Sequence, residues 1–219
     1  MDAQATTAAS GGFRENNIVQ AWLVLCLAIC FGAMLAGIQL ALGPTIEQNK
    51  VNETMAKVPE LVLGQEMAAK LAAENQALEI KPRTITVAVG GRQQSFSVFE
   101  ARYQGRRRGW VVKTAGQGYS DKVELLLGLD PTFTKITGLF ILEQKETPGL
   151  GNKMIFPEWR GQFIGKPTAP PLKVVKTGAQ AKNEIDAITG ATISSRSVVS
   201  IVNGAVQALR EPLAKADGA

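Results

Sequence analysis

The residues best suited to chemistry stand near the carboxyl end. There, Asp186-Ala187-Ile188-Thr189-Gly190-Ala191-Thr192-Ile193-Ser194-Ser195 gathers small and hydroxyl side chains just before a long helical pattern. Unpaired backbone N–H groups and the positive end of a helix dipole meet at such a place, which favours a phosphate group. An ordinary cap accounts for the same residues more simply, with Ser194 or Ser195 capping the helix and Gly190 making the turn. Pattern alone leaves both readings open. A second segment, Glu146-Thr147-Pro148-Gly149-Leu150-Gly151, joins a proline to two glycines and describes a tight turn.

Composition narrows what these residues could do. The chain of 219 residues has no histidine, and its two cysteines, Cys26 and Cys30, both lie in the most apolar stretch. Serine-histidine-aspartate triads, histidine or cysteine zinc sites, C-x-x-C-H haem attachment and thiolate iron–sulfur ligation in the soluble part are therefore excluded. No metal site is expected, and any redox role calls for an organic carrier. The formal charge of +5 is scattered except at Arg106, Arg107 and Arg108, between Gly105 and Gly109. This group reads as an exposed turn rather than a nucleic-acid or lipid contact, so no nucleic-acid partner is expected.

The elements that must position the site begin with a membrane anchor. After a short tail at 1–17, residues 18–42 contain no charged side chain. Such a run of about 25 positions exceeds the roughly 20 that cross a bilayer as a helix. It also exceeds a signal-peptide core of roughly 7 to 15, and only Arg14 precedes it as a positive charge, so a retained helix is expected over a cleaved leader. Gly32, Ala33, Ala36 and Gly37 would let another membrane helix come close. Cys26 and Cys30 share a helix face but are given no role, and Arg14, Lys50 and Lys57 do not settle the orientation.

Residues 43–80 carry a helical pattern through Met55, Val58, Leu61, Val62, Met67, Ala68, Leu71 and Ala72, broken by Pro59 and Gly64, and read as a stalk. A single domain at 81–212 follows. Strands are expected at Thr84 to Val89, from Ser95 after a Gly90-Gly91 turn, and from Gly109, Lys122 and Lys135, with a short one at Lys173 to Lys176. A helix from about Ser194 to Leu209 has an apolar stripe of Val198, Val199, Ile201, Val202, Ala205, Val206 and Leu209. Residues 213–219 read as a frayed tail. The class is α+β, with an antiparallel sheet packed by helices.

Every position of D-x-x-[S/T]-G-A-T is matched by Asp186, Thr189, Gly190, Ala191 and Thr192. The segment resembles the flavinylation motif of the FMN-binding domains of the Rnf electron-transport complex and the sodium-translocating NADH:quinone oxidoreductase. The 146–151 segment resembles the loop lying by the isoalloxazine in these domains, and Gly116-Gln117-Gly118-Tyr119 resembles their glycine-tyrosine segment, although Ser120 and Asp121 stand where glycines are frequent. The resemblance extends over the anchor and essentially the whole soluble domain, and the compact size looks more like the Rnf G subunit than the larger C subunit of the quinone reductase.

That resemblance implies covalent FMN, joined by a phosphoester to Thr192 and installed by a flavin transferase that recognises Asp186. It implies Thr189, Gly190 and Ala191 in the phosphate loop, and Glu146, Thr147, Leu150, Gly118 and Tyr119 as pocket residues. The chain would then be a relay, not a self-sufficient enzyme, in a ferredoxin:NAD oxidoreductase that translocates sodium ions or protons. Its partners would be the other Rnf subunits, above all the integral-membrane one with covalent FMN. Its place would be the bacterial inner membrane, with the flavin on the periplasmic or outer side. The rivals are a quinone-reductase C subunit and a non-redox anchored module in which the TGAT segment only caps a helix.

Overall fold

The computed structural model describes residues 17–215, so most of the expected tails lies outside the described residues. Two helices, α1 (Asn17–Leu63) and α2 (Gln65–Ala73), precede five strands: β1 (Glu79–Val89), β2 (Arg92–Tyr103), β3 (Arg106–Gln117), β4 (Lys122–Leu129) and β5 (Ile136–Glu143). A short helix α3 (Pro157–Arg160), two small strands β6 (Lys173–Val175) and β7 (Glu184–Asp186), and the closing helix α4 (Thr192–Lys215) complete the chain.

Two units divide after Asn49. In the first, helix α1 exposes Trp22, Leu23, Leu27, Phe31, Leu35 and Leu40. Its mean hydropathy reaches 2.4, and it is long and apolar enough to cross a membrane. Cys26 and Cys30 are free and exposed.

In the second unit the five strands form an antiparallel meander in chain order. Val89 pairs with Arg92 across Gly90-Gly91, both at positive φ, as a two-residue hairpin requires. Tyr103 pairs with Arg106 in the same manner, across Gln104 and Gly105 at φ 51° and 76°. The expected arginine turn is thereby corrected: Arg106, Arg107 and Arg108 open β3, and the turn lies just before them. Arg107 stacks 4.4 Å above Trp110 and pairs with buried Glu100 at 2.9 Å, while Arg108 lies over Tyr103.

Both faces of the sheet are covered. Phe96, Val98, Trp110, Val112, Leu125 and Leu127 pack with the α4 stripe. Phe99, Ala101, Val111 and Leu126 pack with Val58, Leu61 and Val62 of α1. Double coverage explains the unbroken Leu125-Leu126-Leu127 run, since alternate residues enter opposite cores. Each fully buried aliphatic side chain contributes about 1.5–3 kcal/mol relative to an exposed one.

The stalk expected at 43–80 is corrected by the same packing. Its helical pattern is real, but Val58 is wholly buried and Leu61 and Val62 nearly so. Three glycines allow the close fit: a Cβ at Gly128 would stand 2.5 Å from the Leu61 carbonyl oxygen, one at Gly138 2.8 Å from Leu61 Cδ2, and one at Gly109 2.9 Å from Val62 Cγ1. Thr137 adds a hydrogen bond to the Leu61 carbonyl at 2.6 Å. Pro59 lies inside α1, and the chain breaks only at Gly64, where φ is 82°.

The other end also differs from expectation. Helix α4 begins at Thr192, two residues before the expected start, and runs to Lys215. Leu213, assigned to the tail, is 2% exposed. It stands four residues beyond Leu209 and so continues the buried stripe through Pro212. The strand pair β6 and β7 is parallel, and β7 was not expected from the sequence.

Candidate functional site

Three segments converge at the amino end of α4. The first is the loop before the helix. Gly190, at φ 79°, reverses the chain, the Ala191 N–H bonds to the Ile188 carbonyl at 2.9 Å, and the helix starts at Thr192. Ser194 and Ser195 fall within the first turn, so neither is the capping residue that the sequence allowed. Ser195 is wholly buried and locks the loop from inside: its Oγ accepts from the Ile188 N–H at 2.9 Å and donates to the Ala191 carbonyl at 3.0 Å. Thr192 is half-buried, and among the described residues its hydroxyl takes no hydrogen bond. The helix carries no acidic side chain of its own in the first turn, which leaves the dipole's positive end unneutralised from within α4.

The second segment is the turn at 147–150. The Leu150 N–H bonds to the Thr147 carbonyl at 3.1 Å with Pro148 and positive-φ Gly149 at the two central positions, the arrangement expected of a type II turn. Leu150 is thrown outward, 43% exposed, against Gly190: a Cβ on Gly190 would come within 2.9 Å of Leu150 Cδ2.

The third segment is the connection from β3 to β4, where the Gly118 N–H bonds to the Asp121 carbonyl at 2.8 Å. Tyr119, 63% exposed, stands at its tip. Beside it, Asp121 is held below the usual carboxylate range by the Lys122 backbone N–H and by Lys145, whose Nζ lies 3.1 Å away.

Glu146 ties the three together. Its Oε1 accepts from the backbone N–H groups of Tyr119 at 2.7 Å and Ser120 at 3.1 Å, and its Oε2 accepts from the Ser194 hydroxyl at 2.8 Å. Both neighbouring glycines are required by this carboxylate. A Cβ at Gly118 would lie 2.4 Å from Oε1, and one at Gly151 would lie 2.6 Å from both Oε2 and Ser194 Oγ.

The result is a cleft of about 390 Å³, within the range of small-molecule sites. Tyr119, Glu146, Thr147, Leu150, Gly190, Ala191 and Thr192 all line it, so seven residues singled out from the sequence are brought together. Three others stand elsewhere. Gly118 lies behind the wall, under Glu146, and Thr189 is exposed outside the lining. Asp186 is half-buried in β7, where its Oδ1 accepts from the Ala179 N–H at 2.9 Å and its carbonyl accepts from the Trp159 indole at 2.8 Å. Gly151, Ile193 and Ser194 complete the lining without having been assigned to it from the sequence. From the sequence, Gly151 is only part of the 146–151 segment and Ser194 only a candidate cap, whereas in the structure both fit against Glu146. Among the described residues no cluster suited to a metal ion occurs.

Comparison with known proteins bears on this cleft directly. Residues 118–207 match the FMN-binding domain, a stretch that begins at Gly118 and includes the whole lining. The chain carries the FMN-binding-domain fold. It is 41% identical over 98 residues to the G subunit of an ion-translocating oxidoreductase complex from Methanosarcina acetivorans, covering 45% of this chain and 50% of that protein. It is 40% identical over 117 residues to the G subunit of the sodium-translocating ferredoxin:NAD oxidoreductase complex from Acetobacterium woodii, covering 52% and 56%. The C subunit of the sodium-translocating NADH-quinone reductase from Vibrio anguillarum is 36% identical over 95 residues, 40% of this chain and 37% of that one.

The chain thus spans about half the length of the G subunits it matches, a narrower sequence likeness than the anchor-to-helix resemblance expected. Likeness of fold reaches further. The crystal structure of NqrC from Shewanella oneidensis superposes with a TM-score of 0.63 at 19% identity, covering 78% of this chain and 98% of that one. The C subunit of the sodium-translocating NADH-quinone reductase from Parabacteroides distasonis gives 0.58 at 20% identity, covering 76% and 94%.

Proposed function

We propose that this chain carries FMN covalently on Thr192 and relays electrons as a G-type subunit of an Rnf complex, a ferredoxin:NAD oxidoreductase that translocates sodium ions or protons. One observation carries the reading: half-buried Thr192 lines the cleft at the first turn of α4 with no hydrogen bond to its hydroxyl among the described residues, while Ser194 and Ser195 beside it are buried and hydrogen-bonded. A phosphoester there would face the unpaired N–H groups of the first turn. Gly190 keeps the approach open, and Leu150 and Tyr119 offer apolar surface to a flat ring. When bound, FMN supplies a centre that takes one or two electrons. The chain's own part is to hold the phosphate end, orient the ring between 119 and 150, and leave one side open to a partner.

By this reading a flavin transferase recognises the segment from Asp186 to Thr192, and the cleft lies on the periplasmic or outer side of the bacterial inner membrane. The hydropathy of α1 supports the anchor, and the named relatives support Rnf subunits as partners, above all the integral-membrane one with covalent FMN. The fold neighbours from quinone reductases favour one rival, a C-type subunit of that complex, which gene neighbourhood would separate.

The test is intact-mass analysis of the chain after coexpression with an exported flavin transferase. Wild type should gain one FMN, Thr192→Val none, and Thr192→Ser part of the load. An adduct that persists in the valine variant would refute attachment at Thr192.

A further inference from the structure

Glu146 differs from every other acidic group near the cleft. It is 5% exposed, and among the described residues no lysine or arginine comes within ion-pair distance of it. Two backbone N–H groups and one hydroxyl converge on it, the surroundings of a carboxylate that accepts at both oxygens. Its negative charge is therefore held by dipoles alone on the wall of the cleft, where screening by water is weak. The resemblance to FMN-binding domains placed Glu146 among the pocket residues with no particular part to play.

Resting on the flavin reading above, we propose that Glu146 is a positioning residue whose charge also sets the reduction potential of the bound flavin. Its first part is mechanical. It joins the tip carrying Tyr119 to the helix turn carrying Thr192, segments that have no other hydrogen bond to each other among the described residues. Its second part is electrostatic. Reduction adds electrons to a ring beside a fixed, uncompensated negative charge, so the carboxylate disfavours the reduced form and holds the potential low.

The two parts separate experimentally because glutamine copies the shape without the charge. In Glu146→Gln the amide oxygen still accepts from Tyr119 and Ser120, and the Ser194 hydroxyl turns to accept from the amide nitrogen. In Glu146→Ala both the charge and the tie are lost.

The experiment uses the full chain in detergent, with and without coexpressed flavin transferase, and reads three quantities: FMN load by intact mass, hydrogen exchange of the peptides containing Tyr119-Ser120 and Thr192-Ser194 in unloaded protein, and midpoint potential in loaded protein. Glu146→Gln should keep slow exchange at Tyr119 and Ser120, and its FMN-loaded fraction should titrate at a more positive potential. Glu146→Ala should exchange faster in both peptides. A loaded Glu146→Gln protein with the wild-type potential overturns the electrostatic part, and wild-type exchange in Glu146→Ala overturns the positioning part. Should wild type itself take up no FMN, the flavin reading fails and the electrostatic part with it, while the exchange measurement still decides the positioning part.

Discussion

Glu100 and Glu146 are both buried carboxylates, and the molecule treats them in opposite ways. Glu100, in β2, is wholly buried and meets three guanidinium groups: Arg102 Nε at 2.7 Å, Arg107 Nε at 2.9 Å and Arg83 Nη2 at 3.0 Å. Glu146 meets three neutral donors. A buried charge beneath an excess of counter-charge has its solvation replaced by ion pairs, and its role ends with the fold. One held only by dipoles keeps an electric field that extends into whatever occupies the space beside it. The difference separates the basic end of the sheet, which is structural, from the cleft end, where the candidate chemistry lies.

This contrast can be broken most severely at the basic end. Removing the carboxylate in Glu100→Ala would leave three guanidinium groups facing one another. Loss of one partner from a fully enclosed pair costs about 3–5 kcal/mol, but Arg83 and Arg102 can turn to water, so about 2 kcal/mol is expected. Denaturant unfolding of the full chain in detergent measures it. The FMN load should match wild type, and a loss of load would mean that the two ends are not independent.

Acid should produce the next largest effect. Burial alone would raise the Glu100 carboxyl, but hydrogen bonds and charge from Arg102 and Arg107 outweigh it and hold the group below the usual carboxylate range. A carboxyl depressed in the folded state stabilises the fold fully above its unfolded value of about 4.3, and that contribution is lost as pH falls through the lower folded value. Between pH 5 and pH 3 wild type should therefore lose more stability than Glu100→Gln. Asp121, Asp130, Glu143 and Glu184 are depressed as well, but they are present in both proteins and cancel from the difference. Equal losses would show that the arginines do not hold the proton off Glu100.

The smallest effect should come from Arg83→Lys. The Arg83 side chain is 45% exposed, and a partly solvated ion pair is worth about 0–1 kcal/mol. Stability should differ from wild type by no more than about 0.5 kcal/mol in the same unfolding measurement. A larger change would make Arg83 an equal member of the cluster.

Much of the fold was legible because its signals are local. An uncharged run at 18–42, a Gly90-Gly91 hairpin, strand texture from 84 to 143 and a stripe from Val198 to Leu209 each constrain the chain through neighbours a few residues away. The segment from Asp186 to Thr192 drew attention for the same reason, since its small and hydroxyl residues stand side by side, and the fold sets Gly190, Ala191 and Thr192 in the cleft lining. Local pattern was less able to say how far an element extends. The apolar stripe suggested an end to α4 near Leu209, yet Leu213 still had a place in the core and the helix went on to Lys215.

By itself, then, the sequence determined the elements and the residue types at the head of α4, because backbone preference and side-chain periodicity act over short separations. Tertiary structure alone decided which segments meet. The supposed stalk became part of the domain because Gly109, Gly128 and Gly138, on three different strands, leave room for Leu61 and Val62. Arg107 became an ion-pair partner of buried Glu100 because its place in β3 turns it toward that carboxylate. Glu146 gained its role from partners 27 and 48 residues away, and no pattern along the chain encodes such a meeting. The physical reason is that a carboxylate's chemistry depends on the donors and charges packed around it, and those are supplied by the folding of distant strands and loops against one another.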